Sequence, residues 1–205
     1  MGPKSLIAFV LSATFAWAGL FSSAQDDLFE AVSKGGSLSD MVTAVNKGAN
    51  VNGFDAEGWT PLHAAITWLS LPKVQYLLSV GANPNAQTFS DHFTPLGMAL
   101  DENQPLMVEE LLKAKANPNA LSSQSFPQWP LEIALSNASR DEEDVRRQHY
   151  GHERRSLAQY RSDALICIKL LVRYGAKGDA LSHTYPDKTV LGSIKDPAIR
   201  QLLLP

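Results

Sequence analysis

Cysteine is almost missing from this chain, because Cys167 is the only one in 205 residues. A lone cysteine cannot form an intramolecular disulfide. No cysteine follows the N-terminal apolar run, where a lipoprotein would receive its lipid. Secreted eukaryotic modules of this size often carry disulfides, so a protein exported without them suits a bacterial periplasm better.

An excess of basic charge is missing too. The chain has 18 Lys and Arg against 21 Asp and Glu, which gives a net charge of −3, and it shows no basic face with interleaved aromatic residues. Such a chain has no general attraction to nucleic acid or to anionic lipid. With 44% hydrophobic and 19% charged residues, the composition is that of a globular protein.

Motifs of catalysis are also missing: no paired carboxylates, no glycine-rich phosphate loop and no Ser-His-Asp arrangement stand out. His149 and His152 have a spacing at which two imidazoles on one helix can share a metal. Gly151 lies between them, and four arginines around them would repel a cation: Arg146, Arg147, Arg154 and Arg155. Cys167 falls among apolar helix positions and is predicted to pack in the core. The sequence therefore predicts no catalytic residue, no metal and no cofactor.

The first 24 residues differ from the rest of the chain. Lys4 precedes an uncharged and almost wholly apolar run over residues 6–21, and Ser-Ser-Ala at 22–24 is a pattern after which signal peptidase cleaves. The run is shorter than the roughly 20 residues of a membrane-spanning helix. We therefore predict a signal peptide over residues 1–24 and a periplasmic protein. Cleavage after Ala18 and retention as an anchor remain open.

What the sequence does contain is a unit over residues 55–86. Thr60 can cap a helix through its hydroxyl, and Pro61 suits the first helical turn, where its missing N–H costs nothing. Apolar residues then recur at helical spacing through two segments, and Gly81 is placed to end the second at a left-handed position. Such a helix–turn–helix unit cannot bury its apolar face alone and must stack on copies of itself.

Copies of the unit follow along the chain. The Thr-Pro-Leu motif of residues 60–62 recurs at 94–96, which is 34 residues later. In that copy Lys115 replaces the glycine of the exit loop, which predicts a strained or differently shaped helix end. In the third copy the exit loop at 175–180 comes about 25 residues late. We therefore expect an insertion, over residues 136–162, between the two helices of that copy.

Residues 60–65, Thr-Pro-Leu-His-Ala-Ala, resemble the signature of an ankyrin repeat, and residues 81–86 resemble its exit loop. The resemblance implies an all-α ankyrin-repeat solenoid of helix–turn–helix units with short projecting loops. It also implies a structural role for His63, which in this family bonds loop groups of its own and neighbouring repeats. The expected domain covers residues 25–205, with a cap at 26–52, repeats at 55–86, 88–120 and 122–180, and a cap at 184–205.

Ankyrin loops project as fingers, and the fingers and first helices together form a concave surface that usually binds other proteins. Aromatic residues on such loops are typical of interface hot spots. The resemblance implies the following contact residues: Phe54, Trp59, Trp68, Phe89, Phe93, Asp101, Glu102, Gln104, Phe126, Trp129 and Tyr185. Trp59 and Phe93 fit equally well as residues that pack against the adjacent finger.

The function expected from the resemblance is binding. The exported domain, monomeric when unbound, would hold one protein partner, with neither nucleic acid nor, after signal removal, a membrane as its target. The role that fits best is an immunity protein that caps a toxic effector arriving in the periplasm. The alternative is a periplasmic accessory that supports a resident enzyme, such as one in oxidative-stress defence. An enzyme using the region of His149 and His152 is a third class and would require bound metal.

Overall fold

The computed structural model describes residues 23–33, 35–124, 127–147 and 155–178, together with single positions between 189 and 200. Several expectations fall outside the described residues: most of the signal segment, His149 and His152 in the insertion, Phe126 and Tyr185 among the contact residues, and most of the C-terminal cap. None of the helices in the described part combines the length and the apolar composition that a bilayer crossing requires.

The described residues form nine α-helices and no β-strand. The helices are α1 Ala24–Val32, α2 Leu38–Asn46, α3 Pro61–Thr67, α4 Leu71–Ser79, α5 Pro95–Asp101, α6 Pro105–Lys113, α7 Pro130–Ser139, α8 Glu142–Arg147 and α9 Leu157–Arg173. The fold is all-α, as the sequence predicts.

The helices associate in four pairs: α1 with α2, α3 with α4, α5 with α6, and α7 with α9. The first helices α1, α3, α5 and α7 contact one another in that order, and among the second helices α4 contacts α6 and α6 contacts α9. Each pair therefore packs against the pairs that precede and follow it in the chain, which is the arrangement of a solenoid. The prediction of stacked helix–turn–helix units is confirmed.

The first helices begin in the same way. The side-chain oxygens of Ser23, Thr60 and Thr94 accept the backbone N–H three residues further on, at 3.1, 3.5 and 3.1 Å. Proline occupies the first position of α3, α5 and α7, where no N–H is needed. The predicted roles of Thr60 and Pro61 are confirmed. The cap of α1 is Ser23, so this helix begins within the segment predicted as signal.

One apolar core runs through the stack. Leu62, Leu77 and Leu111, which come from three different helices in two pairs, belong to the same cluster and are at most 1% exposed. Fully burying a leucine side chain contributes about 1.5–3 kcal/mol. Because neighbouring pairs supply the other side of each contact, no pair could retain this burial by itself.

The second helices end at residues in the left-handed conformation. Gly81 has φ +95° and Lys115 has φ +69°, and Gly48 and Gly175 adopt the same conformation. The helix end at Lys115 therefore keeps the shape of its neighbours, and the strain falls on a residue that carries a Cβ. This confirms the predicted strain and decides between the two alternatives for the helix end.

Replacing Lys115 by glycine should raise the free energy of unfolding by about 0.5–1 kcal/mol, because glycine takes a positive φ without a steric cost. Gly81→Lys is the reciprocal control. A Cβ at Gly81 would meet no atom within 4 Å. The stability lost by the Gly81→Lys chain would therefore measure only the cost of a positive φ in a residue that carries a Cβ. Urea denaturation of the three chains measures both changes. A Lys115→Gly chain less stable than the wild type would contradict the assignment of strain.

Three asparagines connect consecutive exit loops. Asn52, Asn85 and Asn119 each donate through Nδ2 to the carbonyl of the left-handed residue in the next exit loop, at 3.0, 3.1 and 2.9 Å. Each also accepts, through Oδ1, the backbone N–H two residues beyond that carbonyl at 2.7 Å. The exit loops are thus bound to one another at a fixed spacing, and this spacing positions the loops that follow them.

The last pair differs from the others in length. Helix α7 has 10 residues and α9 has 17, against 7 and 9 in α3 and α4. The range 136–162, where we expected an insertion, therefore includes the end of α7, the whole of α8 and the start of α9. Much of the added length extends the two helices of the pair.

Candidate functional site

Three loops directly precede first helices, and we call them the first finger (residues 53–59), the second finger (87–93) and the third finger (121–128). The first finger is folded around a carboxylate. Asp55 Oδ1 accepts the N–H of Glu57 at 3.1 Å and of Trp59 at 2.7 Å, and the Asp55 N–H donates to the Trp59 carbonyl at 2.9 Å. Hydrogen bonds within the finger therefore close the turn, while Phe54 and Glu57 remain exposed.

The first two fingers meet through an aromatic pair, Phe54 and Phe89. Their ring centroids lie 4.4 Å apart with an interplanar angle of 33°. The N–H of Phe89 donates to the Gly58 carbonyl at 3.3 Å, and a Cβ at position 58 would overlap the Phe89 ring. Glycine at 58, with φ +81°, is therefore needed both for the turn and for the approach of the second finger. Although the rings touch, Phe54 is 41% and Phe89 62% exposed.

Backbone hydrogen bonds hold the second and third fingers. The Thr88 N–H donates to the Phe93 carbonyl at 3.2 Å, and the Phe93 N–H donates to Thr88 Oγ1 at 3.0 Å. From the third finger, the Gln124 N–H donates to the Asp91 carbonyl at 2.8 Å. The first two fingers are therefore pre-organised, so that a ligand binding there would not have to order them.

His63 links α3 to the second finger. Its Nε2 lies 3.0 Å from the Phe93 carbonyl and its Nδ1 lies 2.8 Å from Thr60 Oγ1. Since a carbonyl can only accept, Nε2 carries the proton and Nδ1 accepts from Thr60, which describes a neutral imidazole. Burial lowers the pKa of His63 to about 4, although the bond to the Phe93 carbonyl opposes the shift. His63 is thus placed as a structural link between repeats.

The remaining aromatic residues differ in exposure. Trp68, at the C-terminal end of α3, is 41% exposed. Trp59, Phe93 and Trp129 are half-buried in the finger stack. The backbone N–H of Trp129 donates to Glu132 Oε2 at 3.0 Å in the capping arrangement of α7. Of the expected contact residues that the structure describes, the aromatic pair and Trp68 therefore offer the most open ring surface.

Of the expected contact residues, Asp101 ends α5, and Glu102 and Gln104 lie between α5 and α6, at the opposite end of α5 from the fingers. All three are half-buried. Arg155, from the inserted part of the last pair, donates through Nη2 to the Glu102 carbonyl at 2.8 Å. Burial raises the pKa of Asp101 to about 6 against the opposing influence of Arg140. This turn therefore contacts the chain itself, and the structure does not bring it together with the aromatic pair.

A buried polar network that sequence reasoning missed anchors the inserted part. Asn103 Nδ2 donates to the Tyr160 carbonyl at 2.7 Å, and the Asn103 carbonyl accepts from Arg155 Nη1 at 2.7 Å. Asn137 Nδ2 donates to the Leu100 carbonyl at 2.7 Å and accepts the Tyr160 hydroxyl at 3.1 Å. The partners are up to 57 residues apart in sequence, so no local pattern could have revealed them.

The first two fingers carry charge of one sign, from Asp55, Glu57 and Asp91, and the range that contains them has few basic residues. Over residues 48–112 the only basic residue is Lys73, which is 7% exposed and has its Nζ on backbone carbonyls. The acidic residues in the same range are Asp55, Glu57, Asp91, Asp101, Glu102, Glu109 and Glu110. Counting the charge of separate segments would have revealed this excess of acidic residues, which the net charge of the whole chain conceals.

The described residues offer little for bond-making chemistry. They include no group of three His, Cys, Asp or Glu side chains that could hold a metal. Cys167 is buried in the core as predicted, and burial raises the pKa of its thiol to about 12. An open cleft of about 520 Å³ lies between α1 and α2 and is lined by Asp27, Glu30 and Asp40 among others.

Comparison with known proteins points to one family. A family model described as ankyrin repeats, in three copies, matches residues 28–122. A putative ankyrin repeat protein of fowlpox virus (strain NVSL) is 35% identical to this chain over 79 residues. That match covers 38% of this chain and 13% of the viral protein, so the chain resembles a small part of that relative.

Proposed function

Because this chain is an ankyrin-repeat protein, we propose that it holds one protein partner on its concave face and finger tips, with Phe54 and Phe89 as the central contact. The observation that carries the proposal is the exposure of these two touching rings, 41% and 62%, on fingers that are fixed by hydrogen bonds. Exposed aromatic side chains that are already positioned are the usual centre of a protein interface.

The structure gives a reason to choose the aromatic pair over the other aromatic residues of the fingers. Trp59 and Phe93 are half-buried, and the Phe93 carbonyl accepts from His63, so truncating these residues would also disturb the stack. Phe54 and Phe89 are more exposed than Trp59 and Phe93, so truncating them removes less buried surface from the stack. A change in binding on their removal would therefore report the contact itself.

We propose further that the protein works after export and that its partner is a toxic effector, so that it acts as an immunity protein. Residues 1–24 support export through their composition. Cleavage after Ala18 would leave the α1 cap Ser23 in the mature chain, whereas cleavage after Ala24 would remove it. A toxin gene beside this one would support the immunity role. A neighbouring gene for a resident enzyme would favour the accessory role instead.

The Phe54→Ala/Phe89→Ala chain should bind the partner at least about ten-fold more weakly than the wild type, because hot-spot aromatics are each worth about 2 kcal/mol or more. The experiment captures the partner from a periplasmic extract with the chain starting at Gly19, identifies it, and measures Kd by calorimetry. Leu106→Ala/Ile166→Ala is the matched control, since these residues are 61% and 43% exposed on the second helices α6 and α9.

Thermal unfolding must first show that both double variants remain folded. The control should then bind as the wild type does. Equal affinity of the finger variant and the wild type would refute the finger contact, and a loss confined to the α6/α9 variant would move the binding surface to the second helices.

A further inference from the structure

Three acidic residues share the first two fingers with the aromatic pair. Asp55 forms the turn next to Phe54, Glu57 is exposed beside Gly58, and Asp91 lies two residues after Phe89. Within the first two fingers these three acids are the only charged residues of the Asp, Glu, Lys and Arg types, so no lysine or arginine of the fingers opposes them. The apolar tip of the first two fingers is therefore built on loops with three carboxylates and no Lys or Arg, which give it a negative field.

That field selects among partners. Charges of one sign on a surface accelerate the encounter with a partner of opposite sign and penalise a partner of the same sign. The faces of the two phenylalanine rings also attract the ammonium or guanidinium group of lysine or arginine. Ring faces and carboxylates together thus favour the same side chains, whose long apolar stems can lie on the rings while their charges lie near the acids.

We infer that the protein held at the fingers presents a cluster of Lys and Arg side chains around an apolar residue, so that the aromatic pair and the acids of the same two fingers are a docking surface for a basic protein segment. This inference rests on the proposed function and adds the chemistry of the partner. A second copy of this chain is the competing occupant, because residues 113–178 contain eleven basic and seven acidic residues.

The test reverses charge at the fingers and leaves the rings in place. Glu57 and Gln87 are exposed on the first and second fingers, and Glu57→Lys/Gln87→Lys brings positive charge to both tips. Gln75→Lys/Glu109→Lys makes the same change in net charge on α4 and α6 and serves as the control. The probes are a labelled peptide of alternating arginine, lysine and leucine and an acidic peptide in which glutamate replaces the basic residues, each followed by fluorescence anisotropy.

The basic peptide should bind the wild type and should bind the finger charge variant about ten-fold more weakly, with the control variant close to the wild type. Its affinity should fall when NaCl is raised from about 50 to about 300 mM, because salt screens exposed charges. Equal binding of the acidic peptide, or equal loss in both charge variants, would overturn the inference.

Two further results separate this inference from the proposed function. Concentration-dependent dimerisation of the wild type in sedimentation velocity, abolished by the finger charge variant, would overturn the inference and assign the surface to a second copy. An identified partner that is lost on Phe54→Ala/Phe89→Ala but is indifferent to salt and to the finger charge variant would overturn the inference and leave the proposed function intact.

Discussion

Acidification from pH 7 to pH 4 should cost the wild-type chain about 2–3 kcal/mol more of its free energy of unfolding than it costs a His63→Gln chain. The folded state holds His63 as a neutral imidazole between Thr60 and the Phe93 carbonyl, with its pKa lowered to about 4. The unfolded chain takes up a proton near the ordinary pKa of about 6.5. The stabilisation is therefore complete above pH 6.5 and is lost as the pH falls toward 4.

The comparison with a variant is needed because other groups titrate in the same range. The pKa of Asp101 is raised to about 6, so the folded state binds that proton more readily than the unfolded state does. Its contribution changes in the opposite direction, since stability increases as the pH falls through 6. Both chains share that change, and the difference between their urea midpoints isolates His63.

Parallel pH profiles for the two chains would show that His63 is not held neutral in the fold. The variant itself should be less stable at pH 7, because a carboxamide cannot reproduce both of the imidazole bonds.

Lys73→Met should lower the free energy of unfolding by about 2–4 kcal/mol, although methionine fits this position. Lys73 Nζ donates to the carbonyls of Ala31, Val32 and Ser33 at 2.7, 3.2 and 3.0 Å and thereby caps the end of α1. Burial lowers the pKa of Lys73, so the folded protein keeps this ammonium at a cost in desolvation. Removing it leaves the buried carbonyl oxygens of Ala31 and Val32 without this donor, while the Ser33 carbonyl still accepts the Gly36 N–H at 3.2 Å.

Position 73 is a stringent place for this test. The matching positions in the next two second helices, each eight residues before the left-handed residue, are occupied by the buried residues Met107 and Cys167. Methionine therefore preserves the volume and the burial of the side chain at position 73. The decrease in the free energy of unfolding would then measure what the Lys73 cap contributes.

Lys113→Met is the control for removing a lysine. Lys113 is exposed on α6 and pairs with Glu109 and Glu110 at 3.0 and 3.1 Å, so its replacement should change the stability far less than Lys73→Met does, because solvent screens exposed ion pairs. Chemical denaturation of both variants supplies the comparison. A Lys73→Met chain as stable as the wild type would refute the capping role.

The repeat structure was predictable because each of its determinants is local. The cap at Thr60, proline in the first turn, and glycine at position 81 each act within a few residues, and the structure contains all three as predicted. The left-handed Lys115 was predictable for the same reason, since the position is defined by the period of the repeats.

What the sequence could not reveal depends on partners distant in the chain. Lys73 interrupts an apolar helix face, and only the position of α1 shows why it is buried. The contact between Phe54 and Phe89 joins two fingers, each of which was predicted, but its geometry depends on how the repeats stack. The inserted part was predicted from its length, while its anchoring by Asn103 and Tyr160 required the tertiary structure.

Hydrogen–deuterium exchange on the purified complex tests the central claim most directly. If the finger tips hold the partner, the largest decrease in exchange rate on complex formation should appear in residues 53–59 and 87–93. The exchange rates of α4 and α6 should not change. Protection confined to the second helices, with the fingers exchanging as in the free chain, would contradict the account.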